Sequence, residues 1–249
     1  MNNSQPELTV LIPVLNEAAT VDVAAQEVRR AGYQRQMEIL VIDGGSTDGS
    51  WEQMQQAQQA GLIDGLVRQT AWGKGGAVIE GAARARGKIV AIFDADMEYA
   101  ADDLFRVAEP VLSGAAQIGL GYRPRRHAGF RRPFTWPGAI VGLPLDCGTL
   151  GLELIIRLFS PARVHDPFCM HRCWSAALTP ELPTGTPGFG WDLDMLLTAV
   201  SRGWSVVQTP VGYHPRGFHQ GKKLRPVRDA LDNIRVVLRH RQLRRRNAT

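Results

Sequence analysis

Residues 88–98 of this 249-residue chain read Lys-Ile-Val-Ala-Ile-Phe-Asp-Ala-Asp-Met-Glu. An apolar run from Ile89 to Phe93 ends abruptly in carboxylates. The run is short, β-branched at Ile89, Val90 and Ile92, and preceded by Gly87. That pattern predicts a buried strand of a parallel sheet rather than a helix segment. Alternate side chains of an extended chain share a face, so Asp94, Asp96 and Glu98 are expected to point one way past the strand's C-terminal end. Open α/β sheets bind ligands in that region. Carboxylates gathered there repel one another unless a cation lies between them. Hard divalent cations such as Mg²⁺ or Mn²⁺ take one or two carboxylates together with substrate phosphates. A metal–diphosphate site is therefore expected; the plainer alternative is a solvated acidic turn opening the helix that carries Asp102 and Asp103.

The flanking sequence alternates strand and helix. Leu8–Val14, Met37–Ile42 and Leu62–Gln69 read as further strands, with helices over Ala19–Arg30, Trp51–Ala60 and Ala77–Arg86. A helix over Ala101–Leu112 and a strand over Ala116–Tyr122 continue the pattern. The order predicts right-handed crossovers and an α/β, Rossmann-like, mostly parallel sheet flanked by helices. Asp43 ends the second strand, as Asp94 ends the fourth. The Gly-Gly-Ser-Thr-Asp-Gly segment after it suits a tight turn, and Ser46 or Thr47 can cap the next helix. Trp72-Gly73-Lys74-Gly75-Gly76 matches neither the P-loop nor the dinucleotide fingerprint. It leaves Lys74 either at a helix entrance, where the dipole favours anions, or in a plain exposed loop.

The second half differs in character. The formal net charge is +5, and Arg123–Arg132 and Arg235–Arg246 hold much of the excess. Such clusters suit phosphates or anionic lipid surfaces; no nucleic-acid recognition motif accompanies them. Phe130, Phe134 and Trp136 lead into an apolar helical insertion at about 130–160, interrupted by Pro144, Asp146, Glu153 and Arg157. It fits a membrane interface, a buried hairpin or a contact in a homo-oligomer, and no stretch reads as a spanning helix. Val164–Trp174 carries Cys169, His171 and Cys173, but a structural zinc site needs a second ligand pair, so a strand with buried thiols is expected. Three cysteines make no disulfide framework and suit a reducing cytoplasm. The first residues lack the pattern of a signal peptide. Asp192 and Asp194 open a helix over Trp191–Ser201, as partners of the dipole or as a general base. A strand over Trp204–Pro210 precedes a Gly-rich basic loop with Arg216 and Lys222, suited to closing over an anion. Pro226–Arg241 is amphipathic, with Val227, Leu231, Ile234 and Leu238 on one face.

As an ordered set, Leu11-Ile12-Pro13-Val14-Leu15-Asn16-Glu17, Val41–Gly49, Gly73-Lys74-Gly75, Phe93–Met97 and Gly188-Phe189-Gly190-Trp191 resemble the family 2 glycosyltransferases of GT-A fold. Within that family the likeness is to the polyprenyl-phosphate sugar synthases of dolichol-phosphate mannosyltransferase type, over about residues 8–224. The resemblance implies metal-dependent, inverting transfer from a nucleoside-diphosphate sugar to a polyprenyl phosphate or another small acceptor, with Mg²⁺ or Mn²⁺ as cofactor. It implies that Pro13, Asn16, Glu17 and Asp43 line the nucleotide pocket. Asp94 and Asp96 become the metal motif, with Glu98 as a third ligand. Lys74 and Arg216 would stabilise the leaving diphosphate, Lys222 would belong to the same mobile basic loop, and Arg123 would meet the acceptor phosphate. Two departures stand out: Asp43-Gly44 replaces an acidic pair, and Asp166-Pro167-Phe168-Cys169-Met170-His171-Arg172 replaces Asp-x-Thr-Ser-Gly-Phe-Arg. The expected organisation is a GT-A domain over 1–224, then an amphipathic helix and basic tail over 225–249. The protein is expected in the cytoplasm, peripheral on the cytoplasmic face of the membrane. Two other readings stay open: transfer to a saccharide or metabolite hydroxyl with Asp192 or Asp194 as base, and a non-catalytic nucleotide-sugar-binding protein.

Overall fold

The computed structural model describes residues 5–124, 150–154, 156, 164–186, 188, 190–215 and 226–246. The elements run β1 (Leu8–Val14), α1 (Val21–Ala31), β2 (Met37–Asp43), α2 (Ser50–Gln59), β3 (Gly65–Arg68), α3 (Gly73–Ala82), β4 (Ile89–Ile92), α4 (Ala101–Leu112) and β5 (Ile118–Tyr122). After these come β6 (Arg172–Ser175), a 3₁₀ turn at Ala176–Glu181, α5 (Trp191–Arg202), β7 (Val206–Pro210) and α6 (Pro226–Arg246). The strands form one sheet in the order β3-β2-β1-β4-β6-β5-β7. All neighbours are parallel except β6, which runs antiparallel between β4 and β5.

β1 and β4 lie at the centre and are apolar on both faces, as strands covered by helices must be. One core packs α1, α2 and α4 on one side of the sheet, through Val28, Met54, Leu104 and Val107. The other packs α3, α5 and α6 on the opposite side, through Val78, Trp174, Trp191, Val236 and Val237. Gly81 lets α3 close on the sheet: a Cβ there would stand 2.8 Å from Ile42 and 3.0 Å from Leu11.

Chain order reverses between β1 and β4, the usual place for a ligand in such sheets. Register aligns the site there. Val14 pairs with Asp43, and Leu11 pairs with Ile92. Phe93 adds one more bond to the Leu11 carbonyl, at 2.9 Å, before the chain leaves the sheet. Asp43 and Asp94 therefore emerge on the same edge.

Several expectations change. β6 is confined to four residues, and Cys169 lies in the turn before it. Its thiol and that of Cys173 are buried and unbridged, and burial pushes both up to about 12. Thiols this basic stay protonated, and the space beside Gly119 and Gly121 that they fill explains their placement. Helix α6 is turned away from its apolar stripe. Asn233, Val236 and Val237 are buried, whereas Leu231 and Leu238 face outward at 48% and 46% exposure. The cause is polar: Asp194 on α5 draws Arg239 and His240 inward and sets the rotation. The apolar insertion falls almost wholly outside the described residues. Among the described residues no helix is long and apolar enough to cross a membrane.

Candidate active site

Two loops at the C-terminal edge are stitched together by side chains. Asn16 takes φ 52°, a left-handed conformation that asparagine tolerates. Its backbone N–H donates to Ser46 Oγ at 2.9 Å, and its Oδ1 accepts the Thr47 N–H at 2.7 Å. The Glu17 N–H donates to Ser50 Oγ at 2.9 Å. Asp48 spans the junction, accepting the Ala18 N–H and the Ser50 N–H, each at 3.0 Å. Burial would raise the Asp48 pKa, but the bonds from Ser50 and Ala18 hold it below the usual carboxylate range. Ser46 and Thr47 are thus spent on the neighbouring loop and do not cap α2, which follows Gly49 at φ 93° with no side-chain cap. Asp48 was not singled out in the sequence; its place five residues after Asp43 carries no signal without the facing loop.

Pro13 stands in β1 beside Ile42, and Asp43 closes β2 fully buried. Asp43 Oδ1 accepts the Ser46 N–H at 3.0 Å. Its Oδ2 has no hydrogen-bond partner; Arg68 Nε lies 3.6 Å away, too far for one. A buried acceptor left open in this way is costly and fits a ligand N–H.

The carboxylates after β4 are gathered by a turn, which corrects the expectation of strand alternation. The strand stops at Ile92, and Met97 adopts φ 59°. Asp96 Oδ1 accepts the Glu98 N–H at 3.0 Å, an Asx-type closure. Burial pushes the Asp96 carboxyl up to about 6, helped by the charges of Asp94 and Glu98. Helix α3 starts at Gly73, not after Gly76, so Lys74 sits in its first turn. Lys74 Nζ reaches both oxygens of Asp94 at 2.6 Å, with each side chain 14% exposed. Among the described residues no three His, Cys, Asp or Glu side chains converge as a metal cage, so Asp94, Asp96 and Glu98 do not form one unaided. The hard oxygen donors of Asp94 and Asp96 nonetheless suit Mg²⁺ or Mn²⁺ completed by substrate phosphates.

Arg123 is already engaged. Its Nε and Nη2 donate to Asp166 at 2.6 and 2.9 Å, and its guanidinium lies 4.8 Å over the Tyr213 ring. Below the carboxylate turn, His171 is fully buried, 5.7 Å from the Phe93 ring and 4.8 Å from Tyr99. Its Nε2 bonds the Ala100 carbonyl at 2.9 Å, and burial lowers its pKa and keeps it neutral. The His214 N–H donates to the Glu98 carbonyl at 2.9 Å, bringing the segment after β7 to the same turn. Arg216 and Lys222 lie outside the described residues.

Asp192 and Asp194 are both buried. Asp192 faces the buried Arg172 at 3.5 Å. Asp194 binds Thr186 Oγ1 at 2.6 Å, His240 Nε2 at 2.7 Å and Arg239. Burial would raise the Asp194 pKa, but His240, Thr186 and Arg239 together hold it below the ordinary range. A general base wants the opposite tuning.

This sheet, with its carboxylate turn, is the architecture of the GT-A glycosyltransferases. The crystal structure of glucosyl-3-phosphoglycerate synthase from Mycobacterium tuberculosis, with Mn²⁺, UDP-glucose and phosphoglyceric acid, superposes with TM-score 0.71. It is 20% identical and covers 95% of this chain and 80% of that one, a likeness of fold. The family model described as glycosyl transferase family 2 matches residues 9–143, and the chain belongs to that family. Glycosyltransferase AglJ of Haloferax volcanii is 30% identical over 88% of this chain and 67% of its own. The undecaprenyl-phosphate 4-deoxy-4-formamido-L-arabinose transferase of Aeromonas hydrophila is 31% identical over 53% of this chain and 42% of its own. That of Pseudomonas aeruginosa (strain LESB58) is 26% identical over 70% and 49%. The chain thus spans about two thirds of the first relative and less than half of the other two.

Proposed function

We propose that this chain transfers a sugar from a nucleoside-diphosphate sugar to a polyprenyl phosphate, in a metal-dependent reaction. The observation that carries the reading is the pairing of a carboxylate turn and Lys74 at the switch point with an Asp194 on α5 that is spent on Thr186, His240 and Arg239. A hydroxyl acceptor needs a base to remove its proton; a phosphate is already anionic at neutral pH. The names of the undecaprenyl-phosphate relatives support the same acceptor class.

In this reading Asp43 Oδ2 accepts an N–H of the nucleotide base, and the Asn16–Glu17 loop, tied to Ser46 and Ser50, holds the pocket's shape. Asp94 and Asp96 would hold a divalent cation, which would supply charge neutralisation for the departing diphosphate. Lys74 lies on Asp94 and moves onto the phosphates as they enter, so the site's cation is present before the donor arrives. His171 and the Asp96 turn keep the carboxylates in place. The 1–224 and 225–249 segments work as one unit, since α6 helps enclose the core. Attachment to the cytoplasmic face of the membrane suits the outward Leu231 and Leu238 and the arginines between and beyond them.

The test is to incubate the purified chain with nucleotide sugars, Mn²⁺ and either a polyprenyl phosphate or saccharide hydroxyl acceptors. Transfer to the phosphate is expected, with Asp192→Asn keeping substantial turnover. Product on hydroxyl acceptors alone, or loss of several orders of magnitude in a folded Asp192→Asn, sinks the reading.

A further inference from the structure

Lys74 stands on a helix start that holds itself poorly. Gly73, Gly75 and Gly76 are three of the first four residues of α3, and no side chain caps the helix. Gly73 takes φ 78°, in the left-handed region. Glycine is the weakest helix former after proline, and a missing cap removes a further hold. A first turn built this way opens easily. Yet it carries the cation that meets both oxygens of Asp94. Its position has to be fixed from outside.

Two anchors do this. The first pins the preceding loop. Glu80 Oε1 accepts the Thr70 N–H at 2.8 Å and the Ala71 N–H at 2.7 Å. Gln69 Nε2 donates to the Ala71 carbonyl at 2.6 Å. The second is Trp72, which joins that pinned loop to Gly73. Its indole faces α6 across a cavity of about 280 Å³, with the Arg228 guanidinium 5.1 Å over the ring. The ring also approaches the entrance of α5, where a Cβ at Gly188 would stand 3.6 Å from it. Helix α6 is in turn fixed by Asp194, which binds Arg239 and His240. A path of contacts therefore runs from α5 and α6 through Arg228 and Trp72 to Gly73 and Lys74. A single exposed cation–π contact is weak. Here it acts two residues from the cation, on a glycine turn with little else to set its direction.

We propose that Trp72 is a positioning residue for Lys74, and that α6, through Arg228 on the Trp72 ring, sets where the site's cation stands. The proposal rests on the donor-binding part of the reading above. It makes the last helix part of the frame that holds the site. Loosening that helix displaces Lys74 from the place where the diphosphate meets it.

A double-mutant cycle on the full chain tests the link, read by calorimetry with UDP or GDP and Mn²⁺. The indole is 58% exposed, so truncating it leaves both cores intact. Trp72→Ala is expected to weaken diphosphate binding roughly tenfold. Arg228→Gln is expected to weaken it about two- to fivefold, and Trp72→Phe much less than Trp72→Ala. In a Lys74→Ala background Trp72→Ala should add nothing, because its effect passes through the missing cation. Equal weakening with and without Lys74 overturns the proposal, since a side chain that touches the ligand, or only stabilises the fold, acts independently of the lysine. Hydrogen exchange without nucleotide gives a second reading. The Thr70 and Ala71 amides are expected to exchange faster in Trp72→Ala and Arg228→Gln, with the amides of α1 unchanged. Exchange like that of the wild type in both variants also overturns it. A wild type that binds neither diphosphate removes the donor reading, and the exchange result then decides the positioning role by itself.

Discussion

Asp43 shows how a single side chain becomes available to a ligand. Its backbone ends β2, one oxygen is consumed by Ser46, and the other is buried with nothing to accept from. Loss of one hydrogen bond to a charged acceptor is worth about 1.5–3 kcal/mol. Asp43→Asn is therefore expected to weaken nucleoside-diphosphate binding by roughly ten- to a hundred-fold, with little change in melting temperature; calorimetry and thermal unfolding read the two separately. Asp96 makes the complementary case. Its carboxyl is pushed up to about 6 by burial and by Asp94 and Glu98, a repulsion that a cation relieves. Asp96→Ala is expected to abolish Mn²⁺-dependent donor binding and turnover, while metal-independent binding of the bare nucleoside persists. Metal-dependent donor binding like that of the wild type would remove Asp96 from the site.

Helix α6 is held by a polar latch more than by its leucines. Asp194, buried on α5, gathers Thr186, Arg239 and His240, and Val236 fits against the bare surface of Gly190. Breaking a fully buried pair costs about 3–5 kcal/mol. Arg239 is 44% exposed, so solvent screening makes the expected loss in Asp194→Ala smaller than that. The pH dependence has a definite sign. The folded-state pKa of Asp194 lies below its unfolded value, so its contribution is complete above about pH 4 and disappears as acid protonates the carboxylate. Thermal unfolding across pH should show wild type and Asp194→Asn far apart at neutral pH and converging as the pH falls through the depressed folded-state value. A gap that persists in acid would mean that the latch is not electrostatic.

The molecule as a whole places its candidate site at one edge of the sheet and its outward leucines on the last helix. A polyprenyl phosphate confines a reaction to a surface, and a basic helix with exposed leucines provides a reversible hold on one. Each arginine near an anionic leaflet adds about 1 kcal/mol, and burying two leucine side chains adds more. Salt-sensitive sedimentation with anionic liposomes is expected, with little binding to neutral ones. The double variant Leu231→Ser, Leu238→Ser is expected to bind roughly tenfold more weakly, or less still, without loss of stability, because neither leucine packs on the core. Indifference to anionic liposomes at low salt would point to a soluble acceptor.

Local sequence was enough for most of the architecture. β-branched runs ending in Asp43 and Asp94, separated by amphipathic helices, specify parallel strands and place acids at their C-terminal ends, because strand and helix periods are properties of neighbouring residues. Val21, Ala24, Ala25 and Val28 all lie buried on α1, as their spacing demands. Partner choice across long separations was not legible. Lys74 resting on Asp94, Arg123 locked by Asp166 and Asp194 binding α6 join residues 20, 43 and 45 positions apart. No local pattern encodes such pairings; they arise when register and helix packing bring the elements together. The same cause explains α6, where the apolar stripe of the sequence predicted one face and a buried carboxylate on another helix selected the other. A charge removed from water must be paired, and that requirement outweighed the burial of two leucines.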